Sequence, residues 1–206
     1  MRRLTITAAV LLAVYAAFPY LIGDHAAREL TSPLAPEYMQ DHVPTLAAYR
    51  VWSATHHIGG AALTIVGLLQ LGRWWGRATH RFLGRLYVGL AFLVAIGGAS
   101  MAFVAPYGGP AEVLPTLVFA GLLLGFTVQG VLCILRGEVE AHRVWMQRSY
   151  AVVLGPLLVR LVYMLLWSTG VTSEPEAMVP AFWVGWPVPL LVLEVQRMRC
   201  LTLPSR

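Results

Sequence analysis

Long apolar runs separated by short arginine-bearing stretches dominate this sequence, and they leave few folds open. The runs extend from Leu4 to Ile22, Val51 to Leu71, Leu86 to Ala105, Leu114 to Leu135, Ala151 to Thr169 and Pro180 to Val195. Most reach the roughly 20 residues that an α-helix needs to cross a hydrocarbon core about 30 Å thick. In lipid every backbone N–H and C=O must find a partner inside the protein, and a helix provides one within a single segment. Composition agrees: 58% of the 206 residues are hydrophobic and 12% are charged, where a soluble domain carries roughly 25% charged residues. A chain of this length cannot bury so much apolar surface in a core of its own. The expected fold is all-α, a polytopic transmembrane helical bundle of about six spans, forming one membrane domain over residues 1–206. Residues 1–22 are the first span, 23–50 an outer loop, 51–169 a four-helix core bearing histidines, and 170–206 an outer loop, the last span and a short tail. That last run is short and contains Pro187 and Pro189, so a kinked span is expected there. Met1-Arg2-Arg3 ahead of an apolar run also suits a signal peptide, but the run is long and no clean small-x-small cleavage pattern follows, so an uncleaved span is expected.

Charge orients the bundle. All 15 basic residues are Arg, and the net charge is +5. Arg2, Arg3, Arg73, Arg77, Arg81, Arg85, Arg136, Arg143, Arg148, Arg197, Arg199 and Arg206 fall on one side of an alternating path through the runs. Only Arg28 and Arg50 fall on the other side, which collects Asp24, Glu29, Glu37, Asp41, Glu112, Glu174 and Glu176. The positive-inside bias therefore places both termini in the cytoplasm, which requires an even number of spans. Because the arginines sit in turns between apolar runs, they serve topology and do not make a nucleic-acid-binding face.

Polar groups inside lipid are costly and each needs a reason. His56, Gly60, Leu63, Gly67 and Gln70 share one face of the second run, where small residues admit a second helix or a flat cofactor. His56 or His57 then stands near the outer surface as a haem ligand or quinone contact, or as a plain hydrogen-bonding group in a glycine-lined helix contact. Two cytoplasmic stretches echo each other: His80-Arg81-Phe82-Leu83-Gly84-Arg85-Leu86-Tyr87 and His142-Arg143-Val144-Trp145-Met146-Gln147-Arg148-Ser149-Tyr150. Each follows a run that contains a glutamine (Gln70, Gln129) and ends at an arginine (Arg73, Arg136), as a duplicated helical hairpin would. His80 and His142 then lie at one depth, where two imidazoles could hold the iron of a b-type haem. Arg81, Arg85, Arg143 and Arg148 would pair with its propionates or with anionic lipid headgroups, with Tyr87 beside them. The competing reading makes these residues interfacial anchors. Arg160, near the middle of the fifth run after Pro156, must face the bundle interior and meet a carbonyl, a carboxylate or a bound anion. Glu194 reads as an interfacial charge beside Arg197.

Other chemistries find no support. No Ser-His-Asp order, phosphate loop, H-E-x-x-H or acidic metal cluster is present. Cys133 and Cys200 have neither CxxC nor haem-attachment spacing.

The stretches HHIGGAALTIVGLLQ, HRFLGRLYVGL and EAHRVWMQRSYAVVL, over roughly Trp52 to Tyr163, resemble a family of bacterial multi-pass membrane proteins known as domain of unknown function 2306. That resemblance implies the fold and carries no mechanism. Its motif positions here are His56 or His57, Gly59, Gly60, Gln70, His80, Arg81, Gly84, Arg85, Tyr87, His142, Arg143, Trp145, Met146, Arg148 and Arg160. Unlike a two-haem cytochrome, the outer layer offers His56 and His57 with no second histidine on another span.

Three functions remain. The first is a membrane oxidoreductase subunit that binds b-type haem or quinone and passes electrons within the bilayer. The second is a non-enzymatic subunit that contacts anionic lipid or a larger membrane complex through its Arg-aromatic stretches. The third is a small transporter with an anion at Arg160, disfavoured because no inverted repeat or broken substrate-binding helix is evident.

Overall fold

Helices form where apolar runs predict them and extend beyond the runs into polar sequence. The structure is a computed structural model that describes residues 46–71, 76–104, 106, 108–170 and 176–202. The expected first span, 1–22, lies outside the described residues, as does most of the expected 23–50 loop, whose last residues open a helix. In order, the elements are α1 (Leu46–Leu71), α2 (Arg77–Val104), a short 3-10 turn (Pro110–Glu112), α3 (Val113–Leu135), α4 (Val139–Ser168), α5 (Met178–Gly185) and α6 (Pro187–Thr202). Among the described residues there is no strand. Among the described residues four segments are long and apolar enough to cross a membrane: Arg77–Val104, Pro110–Leu135, Val139–Leu166 and Met178–Arg199. The fourth combines α5 and α6, which meet at Trp186, so the helix is interrupted immediately before Pro187, the first of the two prolines.

The two echoing stretches are helical. α2 begins at Arg77 and α4 at Val139, well ahead of the apolar runs expected from Leu86 and Ala151. An apolar run marks the depth of hydrocarbon, whereas a helix continues as long as its backbone finds i−4 partners, and arginine is a good helix former. What ends α3 is Gly137, with φ +80°. Its N–H reaches the Ile134 carbonyl at 3.1 Å while the Glu138 N–H reaches Cys133 at 2.9 Å. This Schellman arrangement satisfies the last carbonyls and reverses the chain in a few residues.

The chain divides into two compact units at Val113. In the first, α1 and α2 run antiparallel. The α1 contact face is His56, Gly59, Leu63, Val66 and Gln70, a seven-residue repeat. Leu63 is 1% exposed, and a Cβ on Gly59 would lie 3.0 Å from Val94. Gly60, expected on this face, meets nothing within 4 Å: the strict heptad puts Gly59 at the seam and turns Gly60 away. α2 answers with Tyr87, Ala91, Ala95 and Gly97, all buried. In the second unit α4 is packed by α3 and by α5 and α6. Thr127 and Ser149, both 0% exposed, share a 2.8 Å hydrogen bond between α3 and α4. Gly155 receives the Trp186 ring, and Gly185 lies against the α4 backbone at Leu158 and Val159.

Sorting by size gives the solvent. Buried positions are often small or polar (Ala91, Ala95, Thr127, Ser149, Ala181), while Phe82, Phe103, Leu114, Leu135, Leu165 and Leu191 are exposed. Water would penalise such a surface at roughly 25 cal/mol per Å² of apolar area, whereas lipid accepts it. Small residues at the contacts then allow the close backbone approach from which membrane helices gain their packing energy.

Candidate functional site

Each helical hairpin is tied by a side chain reaching a carbonyl on the opposite helix. In the first unit, His56 Nδ1 lies 3.0 Å from the Val94 oxygen. Gly97 and Gly98 make room for it: a Cβ on Gly98 would come within 2.9 Å of His56 Cε1. His57 stands edge-on to His56, ring centroids 5.5 Å apart and planes at 87°. Both rings are half-buried, and it is His56 that crosses to α2. Near the loop end of the same hairpin, Gln70 Nε2 donates to the His80 carbonyl at 2.8 Å. There the backbone of His80 is engaged, and its side chain is exposed along with Arg81 and Arg85. Tyr87, about two turns beyond His80, is 2% exposed.

The second unit performs the same stapling with different atoms. His142 is half-buried, and its Nδ1 lies 2.8 Å from the Gly130 oxygen on α3. A carbonyl oxygen only accepts, so Nδ1 must carry a proton, and whenever the ring is neutral its lone pair is on Nε2. Met146, one turn on, presses its thioether against Gly130, where any Cβ would meet the sulfur. His80 and His142, alike in sequence, are thus unlike in use, and they belong to different units.

Arg143 pairs with Glu140 at 2.9 Å on the exposed side of α4. Arg148 makes a forked contact with Glu194 of α6, Nε to Oε1 at 2.6 Å and a terminal nitrogen to Oε2 at 3.2 Å. Its guanidinium carbon also lies 4.6 Å from the centre of the Trp145 ring, which packs on Phe126 at 5.7 Å. Planar guanidinium suits both partners, because it forks onto a carboxylate and stacks on an indole. Glu194 is therefore the bridge that fastens the last span to α4, and sequence reading as a routine interfacial charge missed it. The only sequence signal was its position, the one acid within the last apolar run. Arg160 donates to the Pro156 carbonyl at 3.2 Å, one of the partner types expected for it.

Among the described residues no three His, Cys, Asp or Glu side chains gather as a metal site. The chemistry on offer is that of single tautomer-fixed imidazoles against glycine-lined helices. The family described as predicted membrane protein DUF2306 matches residues 53–196. The chain belongs to that family. The DUF2306 region opens just before His56 and closes just after Glu194, so it encloses both stapled hairpins and the ion pair that holds the last span. Comparison with curated proteins and with solved structures finds no match.

Proposed function

We propose that this DUF2306 protein is an electron-carrying subunit of a bacterial inner membrane, in which His142 binds a quinone headgroup or a b-type haem. Its six spans then leave both termini on the arginine-rich cytoplasmic side, in keeping with the distribution of charge. The observation behind the reading is the 2.8 Å contact of His142 Nδ1 with the Gly130 oxygen. Tethering one ring nitrogen to a carbonyl fixes the tautomer and orientation of the other, the arrangement that suits an imidazole for ligating iron or accepting a proton.

The two ligands make different demands. For a b-type haem His142 would supply one imidazole ligand, and the haem would add one-electron chemistry. A quinol needs only a hydrogen-bond acceptor for its hydroxyl, which the Nε2 lone pair provides, and an apolar wall, which the membrane-facing helix provides. A single fixed imidazole therefore fits the reduced quinone most completely, and His142 would hold the headgroup and take its hydroxyl proton.

Full-length protein purified after expression with ample haem supply tests this in two measurements. The reading expects either a haem absorption band or saturable binding of a short-chain quinol under anaerobic conditions. Either signal is lost in His142→Ala and kept in His80→Ala. Wild-type protein showing no band and no saturable quinol binding would remove it.

A further inference from the structure

The arginines of the two echoing stretches differ in one respect that sequence alone conceals. In α4 they are neutralised within the protein: Arg143 by Glu140 at 2.9 Å and Arg148 by Glu194 at 2.6 Å. In α2, Arg77, Arg81 and Arg85 are all exposed, and none makes a hydrogen bond or ion pair among the described residues. No acidic residue occurs anywhere in α2. At intervals of four residues the three guanidinium groups line one helix face, about 6 Å apart along the axis. Like charges at this spacing repel, and they stand at the positive end of the helix dipole, where cations are disfavoured. No carboxylate among the described residues neutralises the stripe, which leaves it open to external anions.

What lies beside the stripe identifies them. One residue further along from Arg81 and Arg85 are Phe82, 66% exposed, and Leu86, 40% exposed. They begin an apolar face that continues down the span through Leu93 and Ile96, also exposed. A soluble polyanion would meet the arginines and leave Phe82 and Leu86 in water. A phospholipid meets both, phosphate on the guanidinium stripe and acyl chain on the adjoining apolar face. We infer that Arg77, Arg81 and Arg85 form a binding surface for anionic phospholipid headgroups, independent of any ligand at His142. The stripe holds the first hairpin at headgroup depth by bound lipid, where the second hairpin uses its own carboxylates.

Full-length protein in detergent is titrated with fluorescent phosphatidylglycerol at low salt. Each arginine near a charged surface is worth about fivefold in binding, so replacing Arg77, Arg81 and Arg85 together with Gln should raise the half-saturating concentration on the order of 100-fold. Arg143→Gln, which removes an arginine already paired, should change it less than twofold. The triple lysine variant should keep most of the binding, since it retains the charge. If the triple glutamine variant does not fold, Arg81→Gln alone should cost about fivefold. Inorganic pyrophosphate should fail to compete, and phosphatidylcholine should bind wild type no better than the triple glutamine variant. Unchanged phosphatidylglycerol binding in the glutamine variants would overturn the inference. Competition by pyrophosphate at the same concentration would overturn it too, assigning the stripe to free phosphates.

Discussion

Adding one methyl group at Gly98 should loosen the first hairpin, and the size of the effect can be worked out from its neighbours. A Cβ there would lie 2.9 Å from His56 Cε1 and 3.1 Å from Nδ1, too close for the ring to stay. Overpacking of this kind costs about 1–3 kcal/mol. If the ring swings away it also loses the Val94 carbonyl, a hydrogen bond worth about 0.5–1.5 kcal/mol net. Against both stands a gain of roughly 0.5–1 kcal/mol from replacing glycine inside a helix. Gly98→Ala should therefore destabilise by about 1–3 kcal/mol. Gly89→Ala, in the same helix at an exposed position with nothing within 4 Å, should be neutral or stabilising by up to about 1 kcal/mol. Unfolding by SDS in mixed micelles, followed by circular dichroism, measures both. The decisive comparison is a double-mutant cycle: in a His56→Ala background the Gly98→Ala penalty should disappear. An equal effect of Gly98→Ala and Gly89→Ala, or a penalty unchanged without the imidazole, would refute the reasoning.

Two other perturbations follow from the second unit. Glu194→Gln leaves Arg148 beside Trp145 without its counter-ion; fully buried pairs lose 3–5 kcal/mol on such a change. With 24% and 34% of the two side chains exposed, about 1–2 kcal/mol is expected here, and exchanging the two residues, Arg148→Glu with Glu194→Arg, should recover part of it in the same unfolding assay. Gly185→Ala drives a Cβ into the backbone of Val159, which cannot rotate aside, so α5 must separate from α4; a loss of about 3 kcal/mol or more is expected, against none for Gly121→Ala, which meets nothing within 4 Å.

The apolar runs made the helical fold legible, because a 20-residue run free of charge has few other uses. They did not reveal where helices begin. His80 and His142 lie in the first turns of α2 and α4, since backbone hydrogen bonding ignores the polarity change at which the apolar run starts. The echo between the two stretches showed in the residue types and concealed their use. His142 turns its ring toward Gly130, whereas at the matching place in the first hairpin Gln70 bonds the His80 backbone and the ring is exposed. That difference depends on helix rotation by a fraction of a turn, which residue spacing alone does not fix. Gly59 replaced Gly60 at the seam for the same reason. The Arg148–Glu194 pair joins residues 46 positions apart, a separation over which one sequence carries no pairing signal.

The proposal for His142 rests on which of its ring nitrogens carries the proton, and nitrogen NMR reads that directly. Protein labelled with 15N-histidine and placed in bilayers at a pH where imidazole is neutral, with His142→Gln for assignment, should show His142 with its proton on Nδ1. Its Nε2 resonance should be that of a bare nitrogen, and should shift when quinol or haem is added. A His142 protonated at Nε2, with Nδ1 bare, would break the contact to Gly130 and contradict the account.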